Sequence, residues 1–451
     1  MTYVERLDPA LDAVTVFRRL AHLPHVAFFD SAVRGGPTGR YSFVAADPIR
    51  WWDSAESLDE IEQVAAGWTE PAQDDLPPFQ GGLAGLFGYE LAPHLERVPV
   101  ARIDEFRTPP LAVGLYDVVF AFDHEQKLGW LIAQDWSGVG AESRAKYLLG
   151  ELASASGKYE QSVTPPPLDA LAPQYPTGVD NLTSNFPRTE YLQTVRRAID
   201  YIAAGDVYQV NLSQRLLHPA IDSTIDLYLR LRERNPAPMA GYFDGGDWQL
   251  ASASPERFLR VADRQVETRP IKGTAALTRD SVTDRAAAHE LSISPKDRAE
   301  NVMIVDLLRN DLSRACQPAS VRVTQLCGLE SYAWVQHLVS VVEGTLRDGV
   351  TPLDLLKGAF PGGSVTGVPK IRAMQIIAEL EPTFRGPYCG SLGYLGVGGQ
   401  MDTSILIRTI TSARGWWQIQ VGGGIVADSV PEREFEETWH KAKGMLQALR
   451  P

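Results

Sequence analysis

Several features are scarce in this sequence, and each scarcity excludes a class of protein. Only three cysteines occur, Cys316, Cys327 and Cys389, and their number and spacing fit neither a disulfide framework nor a zinc site. No apolar run approaches the length of about 18 residues that a membrane-spanning helix needs. The first residues carry charges where a secretion signal needs an apolar stretch. We therefore expect a soluble, cytoplasmic protein with no membrane partner.

Clusters of basic residues are missing as well. The 451 residues include 43 Lys and Arg against 56 Asp and Glu, which gives a net charge of −13. Because nucleic-acid binding needs concentrated positive charge, this balance argues against a nucleic-acid partner. An anionic small molecule can still bind where a few cations and backbone N–H groups converge.

A proline-rich segment divides the chain. Residues 154–180 hold five prolines without hydrophobic periodicity, a pattern typical of a surface linker. We expect an N-terminal region over residues 1–153 and a catalytic domain over residues 181–451. In the first region, residues 112–122 and 128–133 predict two strands joined by a polar turn.

The pattern after this segment mixes helices and strands in blocks. Apolar spacing predicts a helix over residues 190–204, and alternation predicts a strand over residues 207–216. One face of that strand is polar and includes Gln209, so the strand either faces solvent or lines a cleft. Residues 389–426 predict an antiparallel meander. This arrangement favours an α+β fold over a doubly wound parallel sheet.

Two predicted helices each carry stacked carboxylates. Glu300 falls on the apolar face of its helix, with Asp297 one turn earlier on the same side. In the C-terminal helix, Glu434, Glu437 and Lys441 share a face. An Arg partner and an ordinary helical salt bridge explain these residues without a metal. The two acidic pairs together can also form the all-oxygen site that Mg²⁺ prefers.

Glycine-rich turns and a strand arginine indicate an anion site. Gly422, Gly423 and Gly424 follow a predicted strand, and three glycines let backbone N–H groups approach a carboxylate closely. Residues 361–370 form a second Gly/Ser/Thr-rich turn before a predicted helix, although either turn alone is more often a plain turn. Arg408 is predicted inside an apolar strand, where a guanidinium needs a carboxylate partner.

A lysine and a glutamate occupy neighbouring predicted strands. Lys272 lies between Ile271 and Gly273, and partial desolvation there lowers the pKa of its amine and makes it nucleophilic. A surface strand lysine is the ordinary alternative. Glu256 lies sixteen residues earlier. His337 sits in an apolar strand, where a core histidine is the commoner explanation.

These segments recur in one family in the same order. They are GDVYQVNLSQR, ASASPERFL, TRPIKGT, KDRAENVMIVDLLRNDL, VQHLVS, FPGGSVTGVPKIRAM, RGPYCGSLGY, IRT, VGGGIV and EFEETWHKAKGML. The chain therefore resembles the chorismate-utilising enzymes, which include anthranilate synthase component I, aminodeoxychorismate synthase component I, isochorismate synthase and salicylate synthase. The resemblance is strongest over residues 185–447. It implies two antiparallel-rich sheets packed with outer helices around a central cleft.

The resemblance also implies the site. Mg²⁺ is expected chiefly on Glu300 and Glu437, with Asp297 and Glu434 close by. The substrate-binding residues it implies are Arg408, Tyr388, Gly422, Gly423, Gly424, Lys441, Gln209 and Thr274. The catalytic residues it implies are Lys272, Glu256, His337 and Ser364.

Position 272 separates the branches of the family. The motif resembles PIAGT in anthranilate synthases and PIKGT in aminodeoxychorismate synthases, and Lys272 matches the second form. This implies that chorismate and ammonia give 4-amino-4-deoxychorismate, a precursor of para-aminobenzoate and folate, through a covalent Lys272 intermediate. Glu256 would transfer the proton at the C4 oxygen. Anthranilate synthase component I, in tryptophan biosynthesis, and a catalytically silent partner-binding paralogue are the alternatives.

Two further partners follow from the same resemblance. No glutaminase pattern surrounds any cysteine, so we expect ammonia from a separate glutamine amidotransferase subunit. An N-terminal pocket around Ser31 and Ser42 is a candidate tryptophan site.

Overall fold

The computed structural model describes residues 2–68, 71–154, 164–278, 280–331 and 335–450. In chain order the strands are β1 (Tyr3–Arg6), β2 (Ala27–Asp30), β3 (Tyr41–Ala45), β4 (Arg50–Trp52), β5 (Gly82–Phe87), β6 (Leu111–Tyr116), β7 (Val118–Asp123), β8 (Leu128–Ala133), β9 (Tyr175–Pro176), β10 (Thr183–Ser184), β11 (Gln209–Pro219), β12 (Met239–Asp244), β13 (Trp248–Ser254), β14 (Arg257–Ala262), β15 (Gln265–Thr268), β16 (Ile271–Ala276), β17 (Arg322–Ser331), β18 (Val335–Thr345), β19 (Gly367–Val368), β20 (Ser391–Gly396), β21 (Met401–Ile405), β22 (Thr409–Ala413) and β23 (Trp416–Ile425). The α-helices are α1 (Ala13–Leu20), α2 (Leu58–Ala66), α3 (Ala92–Leu95), α4 (Ala141–Ser154), α5 (Arg188–Ala203), α6 (Thr224–Arg234), α7 (Ser281–Ile293), α8 (Pro295–Ser313), α9 (Pro352–Ala359), α10 (Lys370–Leu380) and α11 (Pro431–Ala448).

The strands form two sheets. Sheet one has thirteen strands in the order β1-β8-β7-β3-β2-β12-β13-β22-β23-β11-β10-β9, with β19 paired to β11. Sheet two has ten strands in the order β16-β18-β15-β14-β21-β20-β5-β6-β4, with β17 paired to β18. Neighbouring strands run antiparallel. The predicted α+β fold of two antiparallel-rich sheets is confirmed.

Three hydrophobic clusters hold the layers together. One lies between the sheets and joins Phe43 and Phe243 of sheet one to Leu86 and Leu392 of sheet two. A second packs α1, α4, α6 and α11 onto sheet one. The third packs helices that include α8, α9 and α10 against sheet two and the start of β11. Burial of apolar surface on this scale is the main favourable contribution to folding.

Two predicted strands turn out to be two strands each. Residues 112–122 divide at Asp117 into β6 of sheet two and β7 of sheet one. The predicted strand through Arg408 divides in the same way into β21 of sheet two and β22 of sheet one. Apolar residues lie on both sides of each junction, so the sequence pattern does not reveal that the chain changes sheets.

The proline-rich segment is partly built into sheet one. Within it, residues 155–163 lie outside the described residues. Farther along, β9 pairs with β10 at the sheet edge, and the Trp416 indole donates a 3.1 Å hydrogen bond to the Pro166 carbonyl oxygen. Both sheets take strands from the two sides of this segment. The predicted domain division at residues 154–180 stays a prediction.

The helices begin where their capping residues predict. Ser294 accepts a hydrogen bond from the Asp297 N–H and Pro295 opens α8, while Thr351 and Asp354 form a capping box at α9. In the described part of the chain, no helix is both long and apolar enough to cross a bilayer. The three cysteines are free and buried.

Candidate active site

The centre of the site is the place where two paired strands pass from one sheet to the other. The chain leaves β13 and enters β14 at Glu256, and it leaves β21 and enters β22 at Arg408. The crossings are bonded to each other: the Ile405 N–H donates to the Glu256 carbonyl oxygen at 3.0 Å and the Ala253 N–H to the Arg408 carbonyl oxygen at 3.1 Å. Because both strands leave the ladder there, side chains at the crossing face the gap between the sheets.

The apolar surroundings of Arg408 predict that it lies inside a strand. In the structure it lies between β21 and β22 instead. It has a positive φ of 53°, a conformation that is uncommon for a residue other than glycine. Its half-buried guanidinium makes no hydrogen bond within the described residues, and burial lowers its pKa while the charge of Glu256 opposes that shift. A guanidinium held in this way is available to a carboxylate of a ligand.

Glu256 is a buried carboxyl group. Ser364 Oγ donates a 2.7 Å hydrogen bond to Glu256 Oε1, from the short turn Gly363–Val365. Burial raises the pKa of Glu256 to about 7, although Ser364, Lys272 and Arg408 each act to lower it. A carboxyl group with this pKa can donate and accept a proton near neutral pH. The predicted pair of Glu256 and Ser364 is thus brought together.

Lys272 lies on β16, beside β18. Desolvation and the charge of Lys441 lower the pKa of its amine, while Glu300, Glu256 and Glu437 oppose that shift, and no hydrogen bond contributes. The side chain is half-buried. This is the desolvated lysine that the sequence predicts.

His337 lies on β18, opposite Thr274 of β16. Thr274 Oγ1 and His337 Nδ1 are 2.9 Å apart. Burial, and next the charge of Arg408, lower the pKa of His337 to about 4. The ring is therefore neutral at neutral pH, where it can donate or accept a hydrogen bond. Both residues face the same crossing as Arg408.

The carboxylates of α8 and α11 face Lys272 from two sides. Burial raises the pKa of Glu300, the Lys272 charge lowers it, and the charge of Glu437 raises it further. Burial would also raise the pKa of Glu437, but its ion pair with Lys441, at 2.8 Å, brings the net shift downward. Lys441 Nζ also donates to the Gly422 carbonyl oxygen at 2.8 Å. Glu300, Glu437 and Lys441 therefore meet at one place.

Two predicted metal ligands have partners of their own. The Asp297 carboxylate accepts a hydrogen bond from the Ser294 hydroxyl at the start of α8. Glu434 is buried and accepts from Ser429 Oγ at 2.7 Å. In the described part of the chain no three His, Cys, Asp or Glu side chains converge as a metal site. Glu300 and Glu437 still fit Mg²⁺, which binds through one or two carboxylates with water and substrate oxygens as the other ligands.

The three glycines continue a strand instead of forming a turn. Gly422, Gly423 and Gly424 lie within β23 and pair with β11. On its other side, β23 pairs with β22 only as far as Ile419, because β22 starts at the crossing. Alternate backbone groups of the glycine segment are thus left open towards the cleft. A Cβ on Gly422 would lie 2.2 Å from the Leu212 carbonyl oxygen, so the strands approach too closely there for a larger residue.

The polar face of β11 lines this cleft. Both polar atoms of the Gln209 amide are buried and have no hydrogen-bond partner in the described residues, and the amide lies next to Gly424. Asn211 lies beside Tyr388, whose pKa burial raises well above its usual range. The sequence placed Gln209 and Tyr388 in the site and missed Asn211. The alternation of polar residues along β11 was the signal that could have found it.

A separate cavity, which we call the N-terminal cavity, lies beside β2 and β3 and is also lined by residues of the C-terminal half of the chain. Its volume is about 360 Å³, and Ser31, Tyr41, Arg260 and Tyr394 are among its lining residues. Ser42 is buried behind the wall, where its hydroxyl accepts from the Ser31 N–H at 3.1 Å. The volume is within the range of about 300–1,000 Å³ that is usual for small-molecule pockets.

Comparison with known proteins decides the family. The sequence profile of the chorismate binding enzymes matches residues 29–447. The chain belongs to the chorismate binding enzyme family. It is 41% identical to anthranilate synthase component 1 of Thermus thermophilus, over 97% of this chain and 95% of that protein. It is 38% identical to aminodeoxychorismate synthase component 1 of Salmonella typhimurium, over 96% and 95%.

A solved structure extends this result to the fold. Anthranilate synthase component I of Streptococcus pneumoniae aligns with a TM-score of 0.78 and 31% identity, over 92% of this chain and 93% of that one. For this chorismate binding enzyme, overall identity does not separate the two activities, because relatives of both names are similar to it to nearly the same degree. The choice between them depends on individual residues.

Proposed function

We propose that this chorismate binding enzyme is an aminodeoxychorismate synthase component I, which converts chorismate and ammonia to 4-amino-4-deoxychorismate and water. The observation that carries the proposal is Lys272. Its amine has a lowered pKa, makes no hydrogen bond to the part of the chain that the structure describes, and lies in the field of Glu256 and Glu300. A lowered pKa leaves more of the amine neutral at a given pH, and the neutral amine is the nucleophile.

In the first half of the reaction, Lys272 attacks ring C2 of chorismate. The electron pair of its neutral amine forms the C2–N bond, both double bonds of the ring diene shift along the ring, and the C4–O bond breaks. Glu256 in its acid form donates a proton to the departing hydroxyl, which leaves as water. The Ser364 hydroxyl, bonded to Glu256 at 2.7 Å, orients the carboxyl group for this transfer.

In the second half, ammonia attacks C4. Both ring double bonds shift back, the C2–N bond breaks, and Lys272 leaves with its electron pair. The proton lost by the incoming nitrogen returns to the Glu256 carboxylate, so the enzyme ends as it began. The neutral His337 ring and Thr274, 2.9 Å apart, are placed to hold the substrate ring by hydrogen bonds.

The two substrate carboxylates bind to different groups that line the cleft. Arg408, which has no hydrogen-bond partner within the described residues, takes the enolpyruvyl carboxylate together with Lys441, Tyr388 and the open backbone of the glycine segment in β23. The ring carboxylate binds towards Glu300 and Glu437. When bound there, Mg²⁺ supplies the positive charge that lets two anionic side chains and an anionic substrate share one place. Gln209 borders the ring on the remaining side.

Ammonia comes from a separate glutamine amidotransferase subunit. The free cysteines, all buried, are unsuited to act as a glutaminase nucleophile, because such a cysteine has to be reached by its substrate. With chorismate and Mg²⁺, the purified chain should turn over with ammonium salts and stay inactive with glutamine alone. Glutamine-dependent turnover by this chain alone would contradict the two-subunit arrangement.

Anthranilate synthase component I is the second candidate, because the Thermus thermophilus relative of that name is 41% identical to this chain. A catalytically silent paralogue is disfavoured by the retention of Glu300, Glu437, Arg408 and Lys441 around one cleft. Chromatographic identification of the product formed from chorismate and ammonium decides between 4-amino-4-deoxychorismate, anthranilate and no product.

The N-terminal cavity is proposed as a tryptophan site. Phe29, Phe43 and Tyr394 provide aromatic walls, and Arg260 is the cation for a carboxylate. Ser31→Leu would fill the cavity with an apolar side chain. Titration calorimetry should detect L-tryptophan binding to the unsubstituted protein and none to Ser31→Leu. Equal heats from the two proteins would remove the cavity as the site.

A further inference from the structure

One buried guanidinium connects segments that the proposed chemistry needs. The Arg385 side chain is 1% exposed. It donates to both Glu381 oxygens, at 2.9 Å and 2.7 Å, to the Val365 carbonyl oxygen at 3.1 Å and to the Asn211 carbonyl oxygen at 2.8 Å. Its guanidinium carbon lies 4.7 Å from the Tyr89 ring centre and 5.7 Å from that of Tyr388. No element of the proposed chemistry uses Arg385 directly.

Each of these contacts leads to a different part of the site. Val365 follows Ser364, the donor to Glu256. Asn211 lies on β11, opposite Gly424 of β23. Tyr388 is three residues after Arg385 in the chain. The guanidinium therefore bridges the Ser364 turn, the start of β11 and the tyrosine.

The Arg385 fork is itself held from both sides. The Glu381 carboxylate accepts from the N–H and the hydroxyl of Ser213, at 2.8 Å and 3.0 Å. The Glu90 carboxylate accepts from the Arg385 and Gly386 N–H groups, both at 2.8 Å. Because hydrogen bonds fix both the guanidinium and the backbone of Arg385, this residue has one position. It thereby fixes the positions of the groups that it contacts.

We propose that Arg385 is a positioning residue, which sets the hydrogen bond from Ser364 to Glu256 by holding the Val365 carbonyl group against β11. The proposal rests on the proposed function only in taking Glu256 and Ser364 to act on chorismate. Lysine cannot replace Arg385 in this role, because an ammonium group lacks the planar fork that reaches three acceptors together. Lysine does keep the charge opposite Glu381, so the buried ion pair survives.

The test is a double-mutant cycle of Arg385→Lys and Ser364→Ala. Turnover is followed as chorismate consumed, so the identity of the product does not enter. Both single variants should slow kcat/KM about tenfold or more, since small displacements of catalytic groups are costly. The double variant should be within about twofold of the slower single variant, because both changes remove the same hydrogen bond.

A second readout is the pH dependence of the same rates. The Ser364 hydroxyl lowers the pKa of Glu256, as do the charges of Lys272 and Arg408. The Cys389 thiol is also close enough to Glu256 to interact with its charge. Arg385→Lys should shift the alkaline limb of kcat/KM to higher pH, in the same direction as Ser364→Ala. A defect confined to folding would lower the amount of active enzyme and leave the limb in place.

Arg215→Lys is the matched control. Like Arg385, Arg215 is buried and paired with a carboxylate, that of Glu105, and its guanidinium carbon lies 5.1 Å from the Phe106 ring centre. Its side chain, on β11, makes no hydrogen bond to a site residue within the described part of the chain. It should lower the melting temperature while its effect on turnover adds to that of Ser364→Ala. If Arg385→Lys does not fold, Glu381→Gln replaces it, because it weakens the two hydrogen bonds that fix the Arg385 guanidinium on the Glu381 side. The proposal would be overturned if the effect of Arg385→Lys, or of Glu381→Gln, adds to that of Ser364→Ala and the alkaline limb of the pH profile does not move.

Discussion

Glu256 and Arg408 lie side by side where two hydrogen-bonded strands change sheets together. The Ile405 N–H binds the Glu256 carbonyl oxygen and the Ala253 N–H binds the Arg408 carbonyl oxygen, at 3.0 Å and 3.1 Å. The backbone is satisfied at this crossing, and the two side chains are left to face the cleft. The acid and the cation of the site therefore have fixed relative positions before any ligand binds.

Replacing Arg408 by lysine tests its assignment to a substrate carboxylate. The Arg408 guanidinium makes no hydrogen bond within the described residues, so Arg408→Lys should leave the melting temperature nearly unchanged. It should raise the KM for chorismate on the order of 10- to 100-fold, the value of one or two charge-assisted hydrogen bonds. Arg414→Lys, at a residue with a similar φ of 52°, is the control and should change neither quantity. A large loss of stability in Arg408→Lys would show a structural role instead.

The pH dependence of the rate follows from Glu256 and Lys272. Because the pKa of Glu256 is raised to about 7, its acid form is present below that pH and is lost above it. The pKa of Lys272 is lowered, so its neutral amine appears as pH rises. With free ammonia held constant, kcat/KM should be bell-shaped and should fall about tenfold per pH unit on its alkaline side. Glu256→Gln should remove that fall along with most of the activity, and an alkaline limb that persists in Glu256→Gln would assign it to another group.

The metal assignment depends on two carboxylates from different helices. Glu300→Gln and Glu437→Gln should each weaken Mg²⁺ binding on the order of 100-fold in titrations that include chorismate, and should abolish turnover, because a charged ligand is lost from the ion. The melting temperature of Glu300→Gln should not fall, since the pKa of Glu300 is raised by burial and the uncharged form is the easier one to bury. That of Glu437→Gln should fall slightly, because the ion pair with Lys441 is lost. Glu436→Gln is the control, because Glu436 is an exposed residue of α11, the helix that carries Glu437. Full turnover in EDTA would remove the metal from the mechanism.

Two adjacent glycines should respond differently to alanine. A Cβ on Gly422 would lie 2.2 Å from a backbone oxygen, whereas one on Gly423 would lie 3.4 Å from Glu434 and 3.5 Å from Glu437. Gly422→Ala should therefore fold poorly. Gly423→Ala should fold, with a stability change of about 1 kcal/mol or less, but should bind chorismate and Mg²⁺ at least about tenfold more weakly. Normal binding by Gly423→Ala would place the ligand elsewhere.

The sequence predicted the fold class and the residues of this cleft, but not how the backbone presents them. Helical spacing predicted that Glu300 and Glu437 each share a face with a second carboxylate, and α8 and α11 are regular helices. Arg408 was predicted inside a strand and the glycines after one, and both predictions were wrong. The change of sheet at Arg408, and the close approach of β23 to β11, are set by distant parts of the chain.

The same limit explains the residues that were missed. Asn211 and Arg385 gain their roles from contacts between segments about 170 residues apart, which no local pattern encodes. The alternation along β11 showed that its second face is unusually polar. It did not decide whether that face is exposed to solvent or lines a cleft. The structure shows that this face is buried against Tyr388 and Glu381.

The most direct test of the account is the fate of Lys272. When the protein is incubated with chorismate and Mg²⁺ and without ammonia, intact-mass spectrometry should show an adduct of chorismate less one water. Peptide mapping should place it on Lys272. Lys272→Ala should form no adduct and should lose activity by about a hundredfold or more, whereas Lys443→Ala, at an exposed lysine of α11, should behave as the unsubstituted protein. Addition of ammonia should discharge the adduct to 4-amino-4-deoxychorismate. Anthranilate as the product, or an unchanged rate and product in Lys272→Ala, would contradict the account.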